Sequence, residues 1–336
     1  MTLLRFAGCL WLASLFLVHA ATASAIDVER PDVRAFIDSM VAEHDYDEQS
    51  LVATLAAAES QPAILESISR PAEKTLTWPE YRAIFITDER IDAGIEFWRE
   101  HAQSLERISE ATGVAPEILV GVIGVETYFG RITGKYRVLD ALATLAFDYP
   151  PRSSFFTKEL AQFLLLVREE DMQATAATGS YAGAMGAPQF MPSSFRAYAV
   201  DASDDGKRDI WNDWQDVIGS VANYFVEHGW QADMPVAARA TLGSLWNGPL
   251  PGNTLKATET VRSLSDQGVV FATELPGDQA GQLVTLEGGS DTEHWVGFHN
   301  FFVITRYNRS VMYAMAVHQL GQEIAAGRER CAATAG

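Results

Sequence analysis

Cysteine is nearly absent from this 336-residue chain, which holds only Cys9 and Cys331. Cys9 lies in an N-terminal apolar stretch whose removal would leave one thiol and no internal disulfide. Positive charge is also scarce: 25 Lys and Arg face 44 Asp and Glu, for a formal charge of -19. Such a surface repels phosphates and argues against a nucleic-acid role. An acidic substrate would need a local basic patch. There is no glycine-rich nucleotide loop, no G-x-S-x-G elbow and no H-E-x-x-H pair. His294 and His299 are spaced poorly for zinc. Past the N-terminus, no apolar run approaches the ~20 residues of a membrane span. Internal repeats and low-complexity tracts are missing too.

The first 25 residues read as a secretory signal peptide: Arg5, then apolar Phe6 to Val18, then Ala23-Ser24-Ala25 as the cleavage site. The protein is therefore expected in the periplasm. A lipoprotein signal at Cys9 is the rival, weakened by the short apolar stretch before it and by Phe6. The remainder, 48% hydrophobic over the whole chain, has ample length for a core and two or three subdomains.

Helical spacing is clear in "PDVRAFIDSMVAEH" and "DEQSLVATLAAAES". "PAEKTLTWPEYRAIFIT" holds prolines and aromatics and reads as extended. Asp88 to Thr112 reads as one long helix closed by Gly113. "SSFFTKELAQFLLLVREE", capped by Ser153 or Ser154, "DWQDVIGSVANYFVEHG" and a final "SVMYAMAVHQLGQEI" add three more. From about Gln231 to Gly289 the period changes, and "ARATLG", "KATETV" and "QLVTLEGG" read as short strands. The expectation is a mainly α protein with a small antiparallel β subdomain: 26–112 an N-terminal helical region, 113–230 a core, 231–292 the β-rich part and 293–330 a closing segment.

Four stretches carry chemistry. "EILVGVIGVETYFGR" begins at Pro116, a good first-turn residue. It is apolar on every face up to Glu126 and so belongs inside the protein. Gly121 and Gly124 cost up to about 1 kcal/mol each in a helix and imply very close packing. A carboxylate at the edge of such a core is a candidate general acid, since desolvation favours its protonated form. It reads equally as a helix-end glutamate paired with Arg131 or another cation. "GSYAGAMGAPQFMPSSF" is rich in small residues and offers Ser180, Tyr181 and Gln189 to a polar ring, or is a tight loop. "DASDDGKRDIWNDWQD" sets Asp201, Ser203, Asp205, Gly206, Lys207 and Asp209 at EF-hand positions. Asn212 stands where the last glutamate belongs, leaving Asp213 and Asp216 as candidates; an acidic solvated turn is the alternative. "FVITRYNRSVMYAMAV" places Tyr307, Asn308 and Tyr313 around the start of an apolar helix.

Together these motifs resemble the membrane-bound lytic murein transglycosylase B family, from about Ala63 to Gln322. "QPAILESISRPAEKTLTWPEYRAIFIT", "GVIGVETYFGR", "LDALATLAFDYP", "SYAGAMGAPQFMPSS", "SVANYF" and "FFVITRYNRS" occur in the family's order. The resemblance implies a lysozyme-like helical core wrapped by further helices, an EF-hand-like calcium loop and cleavage of peptidoglycan glycan strands. It implies that Glu126 is the sole acid/base. It also places Ser180, Gln189, Tyr81, Tyr224, Tyr307, Asn308, Tyr313 and Arg152 on the substrate. It assigns a structural calcium to Asp201, Ser203, Asp205, the Lys207 carbonyl and, in preference to Asn212, Asp216. No cofactor for catalysis is implied. The expected partners are glycan strands and cell-wall synthesis or remodelling proteins, with the protein itself a monomer. Two departures stand out. Pro151 replaces the first of two family arginines, so Arg152 alone remains to meet the substrate's carboxylates, and the N-terminus does not read as a lipoprotein's. Arg131, Lys135, Arg137 and Arg152 are the local cations the cleft would use. A hydrolase of lysozyme type and a non-catalytic peptidoglycan-binding protein are the alternatives.

Overall fold

The computed structural model describes residues 23–69, 76–247, 249–250 and 252–335. Most of the expected signal peptide and residues 71–75 of the "extended" stretch lie outside them. β1 (Ser24–Ala25) pairs with β2 (Glu59–Ser60), so the expected cleavage point falls at the end of a paired strand. Among the described residues no single helix is long and apolar enough to cross a membrane.

The N-terminal region holds α1 (Pro31–His44), α2 (Glu48–Ala56) and α3 (Pro62–Ile68). α4 (Trp78–Phe85) corrects the extended reading. Its Pro79 sits in the first turn, where no helical hydrogen bond is lost, and Glu80 accepts the Thr77 N–H at 2.8 Å as an N-terminal cap. The long helix expected over 88–112 is two, α5 (Asp88–Glu100) and α6 (Ala102–Thr112), broken at His101. The His101 ring packs on Phe97 and Trp214 at 4.6 and 5.4 Å between centroids, and the break lets α6 turn against a later helix.

α7 (Pro116–Thr127), α8 (Val138–Asp148) and α9 (Ser153–Glu169) form the interior. The Ser153 hydroxyl donates to the Ala146 carbonyl at 2.5 Å and caps nothing, contrary to expectation. β3 (Tyr136–Arg137) pairs with β4 (Thr178–Gly179). α10 (Pro192–Tyr198) and α11 (Trp214–Glu227) follow, with the Asp213 carboxylate capping α11 by accepting the N–H groups of Gln215 and Asp216.

The strand-rich segment contains β5 (Ala237–Leu242), β6 (Glu259–Thr260), the short α12 (Val261–Asp266), β7 (Val269–Phe271), β8 (Ala280–Leu286) and β9 (Glu293–Gly297). The antiparallel order is β6-β8-β9-β5-β7. β9 is the central strand, so the sheet runs past the expected boundary at 292 to Gly297. "KATETV" gives only the short β6 before α12 begins. The sheet has its own small core of Ala240, Leu264, Leu283, Val296 and Phe298. α13 (His299–Tyr307) and α14 (Val311–Ala335) return the chain to the main core.

The helical glycines find their reason in α14. A Cβ on Gly121 would stand 2.5 Å from the Val317 carbonyl oxygen, and one on Gly321 would stand 2.2 Å from that of Glu117. The two helices touch backbone to backbone, a distance only glycine permits.

Candidate active site

Glu126 occupies the last turn of α7 and is half-buried. Beyond it the chain turns sharply: Tyr128, Phe129 and Gly130 all have left-handed backbones, with φ of 51, 57 and 78°. The two non-glycine residues cost roughly 1–2 kcal/mol each, and surrounding contacts hold them. The Thr127 hydroxyl donates to the Ala187 carbonyl at 2.9 Å and accepts the Gly130 N–H at 3.1 Å. This ties the end of α7 to the loop of Ser180 and Gln189. Arg90 donates to the Gly124 carbonyl at 2.6 Å and lies 4.5 Å over the Tyr128 ring. Neither Thr127 nor Arg90 stood out in sequence. For Thr127 the adjacency to Glu126 was a usable signal, but for Arg90 there was none.

α14 brings in the closest partner. The Tyr313 phenol donates to Glu126 Oε1 at 2.6 Å across 187 residues of sequence. Tyr313 stacks on Tyr307 at 6.4 Å and 13°, and Tyr307 packs on Tyr224 at 4.7 Å. Their hydroxyls turn inward: Tyr307 donates to the Pro188 carbonyl at 2.6 Å and Tyr224 to that of Arg306 at 2.7 Å. Burial, reinforced by the Glu126 charge, pushes the Tyr307 and Tyr313 phenols well above their usual range. Burial pushes Tyr224 up to about 12. All three therefore stay protonated donors. Tyr81, on α4, is buried against Trp78 and Phe85 and adds to the electrostatics of Tyr313.

The small-residue loop is braced from within. Ser180 Oγ accepts the N–H groups of Ala182 and Ala184 at 3.2 and 3.1 Å. Gln189, at φ 52°, donates its side-chain amide to the Thr133 and Gly186 carbonyls. Gly134 (φ 97°) lies against the Gly179 carbonyl so closely that a Cβ would be 2.0 Å from it. Asn308 ends α13 and accepts the Ser310 N–H through its carbonyl at 2.7 Å. Arg152 is exposed in a single 3-10 turn, its guanidinium 4.5 Å over Phe155. Arg137 is not a free cation, because it pairs with Asp140 at 2.7 Å. Arg131 sits over the Tyr128 ring at 4.9 Å.

A second cluster lies between α10 and α11. Carboxylate oxygens of Asp201, Asp205 and Asp216 approach within 4.8 Å of one another. Asp216 is wholly buried and accepts N–H groups of Ala202, Ser203 and Asp209 at 2.8, 3.1 and 2.8 Å. Burial raises its carboxyl above the ordinary aspartate value, against the pull of those three bonds. The Ser203 hydroxyl is buried there with no protein partner. Asp213 is occupied as the cap of α11, and Asn212 donates to Asp209. An all-oxygen set with one orphaned hydroxyl fits a hard cation.

Residues 29–322 match the transglycosylase SLT domain. The chain belongs to that family. It is 43% identical over 309 residues to the membrane-bound lytic murein transglycosylase B of Escherichia coli (strain K12), covering 89% of this chain and 84% of the relative. Soluble lytic transglycosylase SltB1 from Pseudomonas aeruginosa superposes with a TM-score of 0.82 at 48% identity, over 89% of this chain and all of that one. The Escherichia coli lytic transglycosylase Slt35, solved with calcium, gives 0.80 at 42% identity, over 93% of this chain and 98% of that one. The SLT family membership bears out the expected resemblance, and these neighbours match the mainly helical fold with small antiparallel sheets.

Proposed function

We propose that the protein is a peptidoglycan lytic transglycosylase that cleaves the β-1,4 bond between N-acetylmuramic acid and N-acetylglucosamine and leaves a 1,6-anhydromuramyl end. The observation that carries this is the Tyr313–Glu126 hydrogen bond at the end of a buried helix, in a chain of the SLT family. Most glycosidases use two carboxylates, with substrate-assisted exceptions. In this reading Glu126 donates its proton to the glycosidic oxygen, and the substrate's N-acetyl carbonyl supports the cationic carbon. The Glu126 carboxylate then takes the proton of the muramic O6 hydroxyl, whose oxygen attacks C1. One group acting as acid and then base needs a pKa near the working pH.

The lysozyme-like core is the α7–α11 region. Tyr224 and Tyr307, with hydroxyls turned inward, present ring faces to the sugars. Ser180, whose oxygen already accepts two N–H groups, donates its own proton to substrate. Gln189, Tyr81, Asn308 and Tyr313 complete the cleft, and Arg152 meets stem carboxylates at its far edge. Calcium is held by Asp201, Ser203, Asp205, the Lys207 carbonyl and Asp216, where it neutralises charge and fixes the start of α11. The protein works as a monomer in the periplasm after losing residues 1–25.

The deciding experiment is digestion of glycan strands in heavy-oxygen water. Anhydro ends without label are expected. Label at C1 would make water the nucleophile and the protein a hydrolase, and absence of cleavage would leave a binding protein.

A further inference from the structure

Arg90 is an arginine without an acid. No ion pair of the described residues includes it. The residue is half-buried, and its Nε–H is buried with no partner among the described residues. A cation drawn out of water and left short of partners is costly, and its persistence needs a reason. Two rings hold it in place of a carboxylate. The guanidinium carbon lies 5.5 Å from the centre of the Phe85 ring and 4.5 Å from that of Tyr128. The Arg90 N–H is anchored as well, donating to the Thr87 hydroxyl at 3.3 Å in the cap of α5.

The reason lies in what it grips. Its Nη1 donates to the Gly124 carbonyl at 2.6 Å, two residues before Glu126, and the Tyr128 ring beneath it belongs to the residue two after. Arg90 therefore fastens the chain on both sides of Glu126, where α7 ends and the backbone turns left-handed. The Gly124 carbonyl already accepts the Tyr128 N–H at 3.2 Å. The arginine adds a second bond at the carbonyl end of the helix, where a cation suits the dipole. α5 beds the next residue too. A Cβ on Gly94 or on Gly124 would stand 2.9 or 2.8 Å from the Phe129 ring, and Phe97 stacks on that ring at 5.3 Å. The turn that follows Glu126 is thus shaped against α5, and Arg90 is the polar link between them.

We propose that Arg90 is a positioning residue for Glu126: by clamping the chain two residues to either side, it sets where the carboxylate points. The proposal rests on the glycan-cleaving reading of Glu126. In that reading one carboxylate meets the glycosidic oxygen and then the O6 hydroxyl from a single position. A displacement of about 1 Å can cost on the order of 100-fold in rate.

The test compares Arg90→Ala, Arg90→Met and Arg90→Lys with the wild type on glycan strands, each assayed below its own melting temperature. In Arg90→Ala and Arg90→Met kcat should fall about 10–100-fold while KM is kept. Arg90→Lys, which keeps the charge without the planar fork, should recover only part of the rate. Guanidinium chloride at millimolar concentration should restore Arg90→Ala several-fold, and sodium chloride at the same concentration should not. Arg90→Met, whose side chain fills the space, should not respond. A wild-type kcat in Arg90→Met or in Arg90→Lys would overturn the proposal and leave the glycan reading intact. So would a defect of Arg90→Ala that guanidinium does not relieve, or one that appears only as a raised KM or a lowered melting temperature, since Arg90 would then be a structural residue alone. A wild type that cleaves no strand, or a Glu126→Gln variant as active as the wild type, would overturn the glycan reading itself.

Discussion

Glu126 and Asp216 are carboxylates at opposite ends of two helices that pack together, α7 and α11. Glu126 stands at the carbonyl end of its helix, where the macrodipole disfavours negative charge, and receives a phenol. Asp216 stands in the first turn of its helix, where the dipole favours negative charge, and receives three backbone N–H groups. The same chemical group meets one phenol at a helix end in one place, and in the other three backbone N–H groups whose support is outweighed by the cost of burial.

The comparison breaks most visibly by mutation. Glu126→Gln should lower cleavage 10²–10⁴-fold with the melting temperature kept. Asp216→Asn should leave kcat near the wild type while stability falls. If Asp216→Asn abolished turnover in a folded protein, the division of labour would be wrong.

A third titratable group, His318, sharpens the contrast, because its Nδ1 has no hydrogen-bond partner among the described residues. His318 is half-buried, its Nδ1 is buried, and desolvation lowers its pKa to about 4. Its folded value lies below the unfolded 6.5. The unfolded chain therefore binds the proton first, and stability is lost as pH falls from about 6.5 to about 4. At 1.36 kcal/mol per unit the loss approaches about 3 kcal/mol. Denaturant melts at both pH values should show His318→Gln losing less than the wild type across that window.

For Asp216 the sign is reversed. A raised carboxyl means that its bare charge is costly at neutral pH and tolerated once protonated in acid. Calcium at 100 times its Kd should then add about 2.7 kcal/mol at pH 7 and clearly less near pH 4. Asp216→Asn should lose that gain. Calorimetry with and without chelator measures it, and an equal gain at both pH values would remove Asp216 from the ligand set.

The smallest effect expected is that of Tyr313→Phe. Hydrogen bonds to charged groups are worth about 1.5–3 kcal/mol, so kcat should fall on the order of 10–100-fold. Removing a donor to the carboxylate should move the kinetic pKa of Glu126 upward. A pH–kcat profile at the wild-type position would deny the phenol its role.

Glu126 was legible because a polar group breaking an all-apolar helix is conspicuous, and the glycines beside it announced a close neighbour without naming α14. The acidic loop was legible from spacing, which left Asp213 and Asp216 open; the resemblance favoured Asp216, and the structure shows Asp213 engaged as the cap of α11. α13 and the split at His101 were not legible. α13 is short and buried along most of its length, so no polar face marks its period. The break at His101 is set by packing on Phe97 and Trp214, residues whose proximity no local pattern records. Thr127 and Arg90 act on backbone carbonyls, which leave no trace in side-chain identity, so that only the adjacency of Thr127 to Glu126 could have pointed to either.

The Tyr313–Glu126 bond joins a residue just past the first third of the chain to one near its end. A growing or truncated chain that stops before α14 has its carboxylate but neither the phenol that holds it nor the Gly321 that lets the helix seat.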